Sequence, residues 1–167
     1  MVLRDRPRSA EALITEDRLQ SSSKLTLHRE ANMAEKTLTI ALMNPPYESA
    51  NSTTAFRIIA SALKKGINVN VFAYEGAVNL AFNEQAPHAN PVKGTTVEEE
   101  DHPTTKRFVT ALLEMGAGDP LLNWINCGLC VDERGAGNAV PGVKRGGPGD
   151  FLKMAQESTN TLVIPTR

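Results

Sequence analysis

Residues 37–74 constrain this chain more than any other stretch. Thr37-Leu38-Thr39-Ile40-Ala41-Leu42-Met43 is a short apolar, β-rich run, the pattern of a central strand. Asn44-Pro45-Pro46-Tyr47 must be a loop, because two prolines cannot continue a ladder. Residues 49–52 supply candidate helix caps. Ala55, Phe56, Ile58, Ile59, Ala62 and Leu63 then recur at helical spacing, and Lys64-Lys65-Gly66 is a helix-ending signal. Ile67-Asn68-Val69-Asn70-Val71-Phe72-Ala73-Tyr74 reads as a second strand. Strand, helix, strand with short connections is a βαβ unit, which implies parallel pairing and a right-handed crossover.

The rest of the chain extends the alternation. Residues 76–80 read as a short helical turn. Residues 83–103 carry three prolines, Gly94 and the acidic run Glu98-Glu99-Glu100-Asp101, and read as a long solvated surface loop. Residues 104–115 predict a helix with Phe108, Val109, Leu112 and Leu113 on one face and Gly116 after its end. Residues 121–126 predict a third strand, in which Trp124 belongs to the core or a subunit interface. Residues 136–149 are Gly- and Pro-rich, with Gly142-Val143-Lys144 a candidate fifth strand. Residues 150–158 predict a last helix with Phe151, Leu152, Met154 and Ala155 inward, and residues 161–165 a final strand. The expected fold class is α/β: a three-layer α/β/α sandwich around a mostly parallel four- to five-stranded sheet.

Residues 1–33 differ in character. Charged residues and Ser21-Ser22-Ser23 surround isolated apolar ones, as in a flexible extension or leader; a short amphipathic helix over 9–20 is the alternative. The single compact domain is then 34–167. With 167 residues, 41% hydrophobic and 22% charged, the chain can bury a real core. A formal net charge of −1 gives no electrostatic footprint for nucleic acid or an anionic membrane. No apolar run approaches the roughly 20 residues of a membrane span, and the expected compartment is the cytoplasm.

Chemistry points to Cys127-Gly128-Leu129-Cys130-Val131-Asp132-Glu133-Arg134-Gly135, which holds both cysteines of the chain. The pair follows the third strand and opens a helix-like stretch, where open α/β sheets place ligands. A helix N-terminus and a nearby cation both favour a thiolate. On a helix, Cys127, Cys130 and Arg134 share a face, provided Asp132 and Glu133 point outward. Gly128 leaves room for a sulfur substrate or a partner loop to approach. Asn44 and Tyr47 follow the first strand at the same sheet edge and are candidate substrate-binding residues, although Tyr47 packed under its loop is the plainer reading. Glu75-Gly76, after the second strand, faces the same way. His88 and His102 are loop histidines, either solvated or reaching the site as acid or base.

Four readings of the pair stand side by side: a persulfide carrier, a dithiol–disulfide redox couple, half of a zinc site, and two small buried hydrophobes. Zinc lacks a second Cys pair, and His28, His88 and His102 lack ligand spacing. A thioredoxin-like pair would follow an early strand and open a long helix. Neither a metal nor a cofactor is expected.

The same nine residues resemble the Cys-x-x-Cys-x-x-x-Arg-Gly variant of the active-site segment of the DsrE/TusD-like (DsrE/DsrF-like) sulfur-relay family. Pro141-Gly142-Val143-Lys144-Arg145-Gly146-Gly147-Pro148-Gly149-Asp150-Phe151 is similar to that family's stretch before its last helix, and residues 161–165 to its final strand. The resemblance covers about residues 36–167. It implies a five-stranded parallel-type sheet and a sulfurtransferase-like carrier in which Cys127 bears the persulfide and Cys130 is a resolving or assisting thiol. It also implies sulfur donor and acceptor proteins as partners, and a homotrimer or hexamer. The remaining alternatives are a non-catalytic binding or regulatory subunit of the same fold and a dithiol redox protein. The acidic loop and the 1–33 extension depart from the family pattern.

Overall fold

The computed structural model describes residues 36–89, 92–101 and 103–166. The 1–33 extension with its candidate helix and His28, and also His102, lie outside the described residues. Five strands form one sheet: β1 (Thr37–Leu42), β2 (Asn68–Ala73), β3 (Leu122–Cys127), β4 (Val143–Gly146) and β5 (Asn160–Ile164). Their order is β4-β3-β2-β1-β5, and every pairing is parallel. The connections carry α1 (Asn51–Lys64), a 3-10 helix (Glu75–Ala81), α2 (Val97–Glu100), α3 (Thr105–Met115), α4 (Gly128–Arg134) and α5 (Pro148–Glu157). The candidate fifth strand is therefore real. It is β4, at the edge beside β3, because the chain after α4 returns to pair with Trp124 through Cys127.

Strand alternation divides the core in two. On one face Ile40, Val71 and Trp124 pack against Phe56 and Ile59 of α1 and Val109 of α3. Trp124 is fully buried in this core, and its Nε1–H donates to Asn126 Oδ1 at 3.1 Å. Phe108 of α3 is half-exposed, but its ring stacks on Phe56 at 5.6 Å. The opposite face is split along the strands. Its amino-terminal half is a polar row: Asn123 Nδ2 donates to Asn70 Oδ1 at 3.3 Å, and Asn70 Nδ2 to Thr39 Oγ1 at 3.4 Å. Thr39 Oγ1 in turn donates to Met154 O at 3.1 Å, which ties the row to α5. Its carboxyl-terminal half is apolar, with Phe72, Ile125, Cys127, Cys130, Val131 and Met154 in one cluster and Phe151 stacked on Phe72 at 5.5 Å. The cysteines thus lie in the drier half of that layer.

Four expectations need correction. No side chain caps α1: Ala50 occupies the cap position, and Ser49 Oγ accepts from Asn51 N–H at 3.1 Å in the preceding turn. The long loop is not wholly irregular, since Val97–Glu100 forms a helical turn. A capping box nucleates it, with Glu99 N–H donating to Thr96 Oγ1 at 3.3 Å and Thr96 N–H to Glu99 Oε2 at 2.8 Å. Leu152 is not inward but 59% exposed. Phe151 and Met154 are three apart and share the inner face of α5, which turns Leu152 outward. Finally, β5 is an edge strand with Leu162 and Val163 exposed, so the last strand is much less buried than its composition suggests.

Candidate functional site

Cys127 ends β3 and is also the cap residue of α4, and Cys130 lies one turn later. Both thiols are free and buried, at 6% and 8% exposure. Their side chains lie in one apolar cluster with Phe72, Ile125 and Val131. Helix α4 is short because Gly135 adopts a left-handed conformation (φ 60°), with its N–H on Asp132 O at 3.3 Å. No α4 amide donates to the Cys127 side chain, so the expected helix-terminal donors do not serve that sulfur.

The donor that reaches the pair comes from the segment just after β2. Glu75, at the start of the 3-10 helix, sends its backbone N–H to Cys130 Sγ at 3.1 Å. Glu75 holds φ 52°, a left-handed value uncommon for a residue with a side chain. Its carboxylate pairs with Arg134, Nη2 to Oε2 at 2.6 Å, and Arg134 Nη1 also meets Glu133 Oε2 at 3.1 Å. The link from Arg134 to Cys130 therefore runs through Glu75, and the guanidinium itself is engaged by two carboxylates. Asp132 turns away to pair with Arg145.

Burial pushes the Cys130 thiol above its ordinary pKa. The Glu75 N–H opposes this, while the neighbouring Cys127 side chain and the Glu75 carboxylate add to it. Tyr74, whose ring lies 5.8 Å from Phe72, is raised too, first by burial and then by the charges of Glu75 and Cys130. Cys130 is thus held as a neutral thiol with one amide donor already aimed at its sulfur.

The neighbours of Gly128 belong to β4. A Cβ there would lie 3.0 Å from Arg145 Nε and 3.4 Å from Gly146 O. Arg145 Nη2 donates to Gly128 O at 3.1 Å, so the glycine accommodates β4 rather than a ligand. Asn44 and Tyr47 stand apart from the thiols. They follow β1, which is two strand positions from β3, about 10 Å at ordinary spacing. Asn44 is buried and uses its amide within the loop, donating to Ser49 Oγ at 2.8 Å. Tyr47 is 61% exposed with φ 66°. It lines a separate cleft of about 240 Å³ with Pro87, His88, Val97 and Thr104. His88 belongs to that cleft, not to the Cys pair. Among the described residues no group of three or more His, Cys, Asp or Glu side chains could hold a metal ion.

Sequence reasoning named Glu75 but gave it no role, and it missed Tyr74 and Arg145. The only signal was position, since Tyr74 and Glu75 follow β2 and Arg145 lies in β4, the two strands that neighbour β3. Which strands those are is fixed by the strand order.

Comparison with known proteins agrees with this architecture. The family model described as "DsrE/DsrF-like family" matches residues 36–164. The uncharacterised protein MJ0989 of Methanocaldococcus jannaschii is 26% identical over 128 residues, covering 75% of this chain and 97% of that protein. The crystal structure of the ychN protein from E. coli superposes with a TM-score of 0.56 at 18% identity, covering 77% of this chain and 99% of that one, a likeness of fold. With the family model spanning the whole sheet and both helical layers, the chain belongs to the DsrE/DsrF-like family.

Proposed function

We propose that this protein is a sulfur-relay component that carries sulfane sulfur as a persulfide on Cys127 and passes it to a partner thiol. The observation that carries the reading is the Cys pair itself: two free thiols one helical turn apart at the carboxyl end of β3, with the Glu75 amide on one sulfur. Persulfide sulfur moves by thiolate attack on an S–S bond, so the chemistry needs a thiol that can be deprotonated on demand and a site that keeps water away. The apolar cluster around Cys127 and Cys130 supplies the second condition. Family membership supports the same assignment.

Donor and acceptor proteins would approach at the carboxyl edge of the sheet, beside Arg134. A homotrimer or hexamer in the cytoplasm completes the proposal; no described helix is long and apolar enough to cross a membrane. Intact-mass measurement after incubation with inorganic polysulfide tests it. The expected result is one sulfur taken up on Cys127, held as an adduct when Cys130 is replaced by serine and absent in Cys127→Ser; no adduct on Cys127 of Cys130→Ser with any sulfane donor rejects it.

The burial of both sulfurs favours a second reading, a regulatory subunit that keeps the fold without transfer. Its signature is a pair inert to iodoacetamide at neutral pH together with a stable complex with a second protein.

A further inference from the structure

Cys130 has no separate task in simple persulfide carriage, yet it is the thiol that the Glu75 amide reaches. Cys127 and Cys130 occupy the cap and third position of one short helix. Residues three apart at a helix start are neighbours on one face, and both side chains belong to one apolar cluster. The Glu75 N–H lies on Cys130 Sγ at 3.1 Å, where it would stabilise that sulfur as an anion. Both thiols are buried, which restricts access of an outside thiol to a persulfide on Cys127 while leaving Cys130 beside it.

We infer that, beyond handing sulfur to a partner, the pair releases it as hydrosulfide, with Cys130 as the internal thiol that resolves the Cys127 persulfide. This inference rests on the persulfide reading of Cys127. The Cys130 thiol gives up its proton, and its sulfur attacks the inner sulfur of Cys127–S–SH. A Cys127–Cys130 bond forms, the bond from Cys127 to its outer sulfur breaks, and that sulfur leaves with the electron pair as HS⁻. The outer sulfur is reduced to hydrosulfide and the Cys130 thiol is oxidised, while the Cys127 sulfur exchanges one S–S bond for another, so each cycle ends in one disulfide and one hydrosulfide. A dithiol reductant must reopen the disulfide before the next cycle, through a mixed disulfide with the reductant. Glu75 is a positioning residue in this step, since it touches Cys130 and not the departing sulfur.

The experiment loads the full chain with inorganic polysulfide, removes the excess by desalting, and measures released sulfide and intact mass together. Wild type should liberate one hydrosulfide per loaded chain and lose two hydrogens, with the disulfide mapped to Cys127–Cys130. Cys130→Ser and Cys130→Ala, checked by circular dichroism for retained fold, should keep the one-sulfur adduct on Cys127 and release little sulfide. Wild type that keeps the adduct with both thiols otherwise free overturns the inference, as does migration of the adduct to Cys130. If the two Cys130 variants take up no sulfur on Cys127, the carrier reading itself fails, and the two failures are thereby told apart. Adding dithiothreitol should restore loading in wild type, and persistent inactivity after reduction also counts against the cycle.

Discussion

The backbone N–H of Glu75 donates to the Sγ of Cys130 at 3.1 Å, across the gap between the ends of β2 and β3. This contact joins residues 55 positions apart and exists only because the two strands are neighbours. Glu75 reaches it in a left-handed conformation and fixes its own side chain on Arg134.

That conformation sets the tolerance of position 75. Glu75→Gly removes an ion pair between two partly exposed groups, worth at most about 1 kcal/mol, and relieves backbone strain of similar size. Glu75→Val keeps the strain and adds β-branching, so it should be about 1–3 kcal/mol less stable than Glu75→Gly. Urea denaturation of the two variants measures the difference, and equal midpoints would show that the left-handed geometry is not maintained.

The Cys130 thiol carries a pH signature. Its folded pKa is raised, chiefly by burial, so the folded state holds the proton more tightly than the unfolded chain does. Its contribution to stability is then complete below the ordinary thiol value of about 8.5 and is lost as pH rises through the higher folded value. Wild type should lose stability above about pH 8.5 more steeply than Cys130→Ala, which removes the linked proton. Parallel profiles from pH 7 to 10 would contradict the raised pKa. Tyr74, raised in the same direction, adds a loss that begins higher, at about pH 10.

Two glycines should respond in opposite ways to alanine. At Gly116 an added Cβ would lie 2.4 Å from Leu122 Cβ and 2.7 Å from Leu122 N, so the backbone entering β3 has to move. Gly116→Ala is expected to cost about 1–3 kcal/mol. At Gly128 the close atom is Arg145 Nε at 3.0 Å, part of a flexible side chain on the surface. Gly128→Ala should stay within about 1 kcal/mol of wild type, because the arginine can swing aside and alanine suits a helix. Thermal unfolding of both variants decides the order.

Trp124 anchors the opposite core. Truncation to alanine should destabilise the protein by about 3–5 kcal/mol. Trp124→Phe keeps most of the volume but leaves Asn126 Oδ1 without its indole donor, at a cost of about 1–3 kcal/mol. Asn126 also donates to Val78 O at 3.2 Å, so this variant should loosen the 3-10 helix that begins at Glu75. Amide hydrogen exchange at residues 75–81 tests this, and unchanged protection there would separate the two cores.

The sequence by itself determined the layer order and the place of the cysteines. Apolar runs at 37–43, 67–74 and 121–126 can only be buried strands, and the helical spacing between them forces parallel crossovers, so Cys127 had to fall at a carboxyl edge. Local chemistry also marked the end of α4 at Gly135. It could not show that Asn70, Thr39 and Asn123 align in a polar row, or that Leu152 and Val163 face outward, because those facts depend on register and on which helix covers which strand. Only the tertiary structure decided what surrounds the sulfurs. The order β4-β3-β2 brings Glu75 to Cys130 from one side and Arg145 to Gly128 from the other, and it leaves Asn44 and Tyr47 beyond β2. Spacing along one helix had pointed to Arg134 as the direct partner of the thiols. The fold supplies a backbone amide instead, because hydrogen bonds between strand ends are set by adjacency in the sheet and not by separation along the chain.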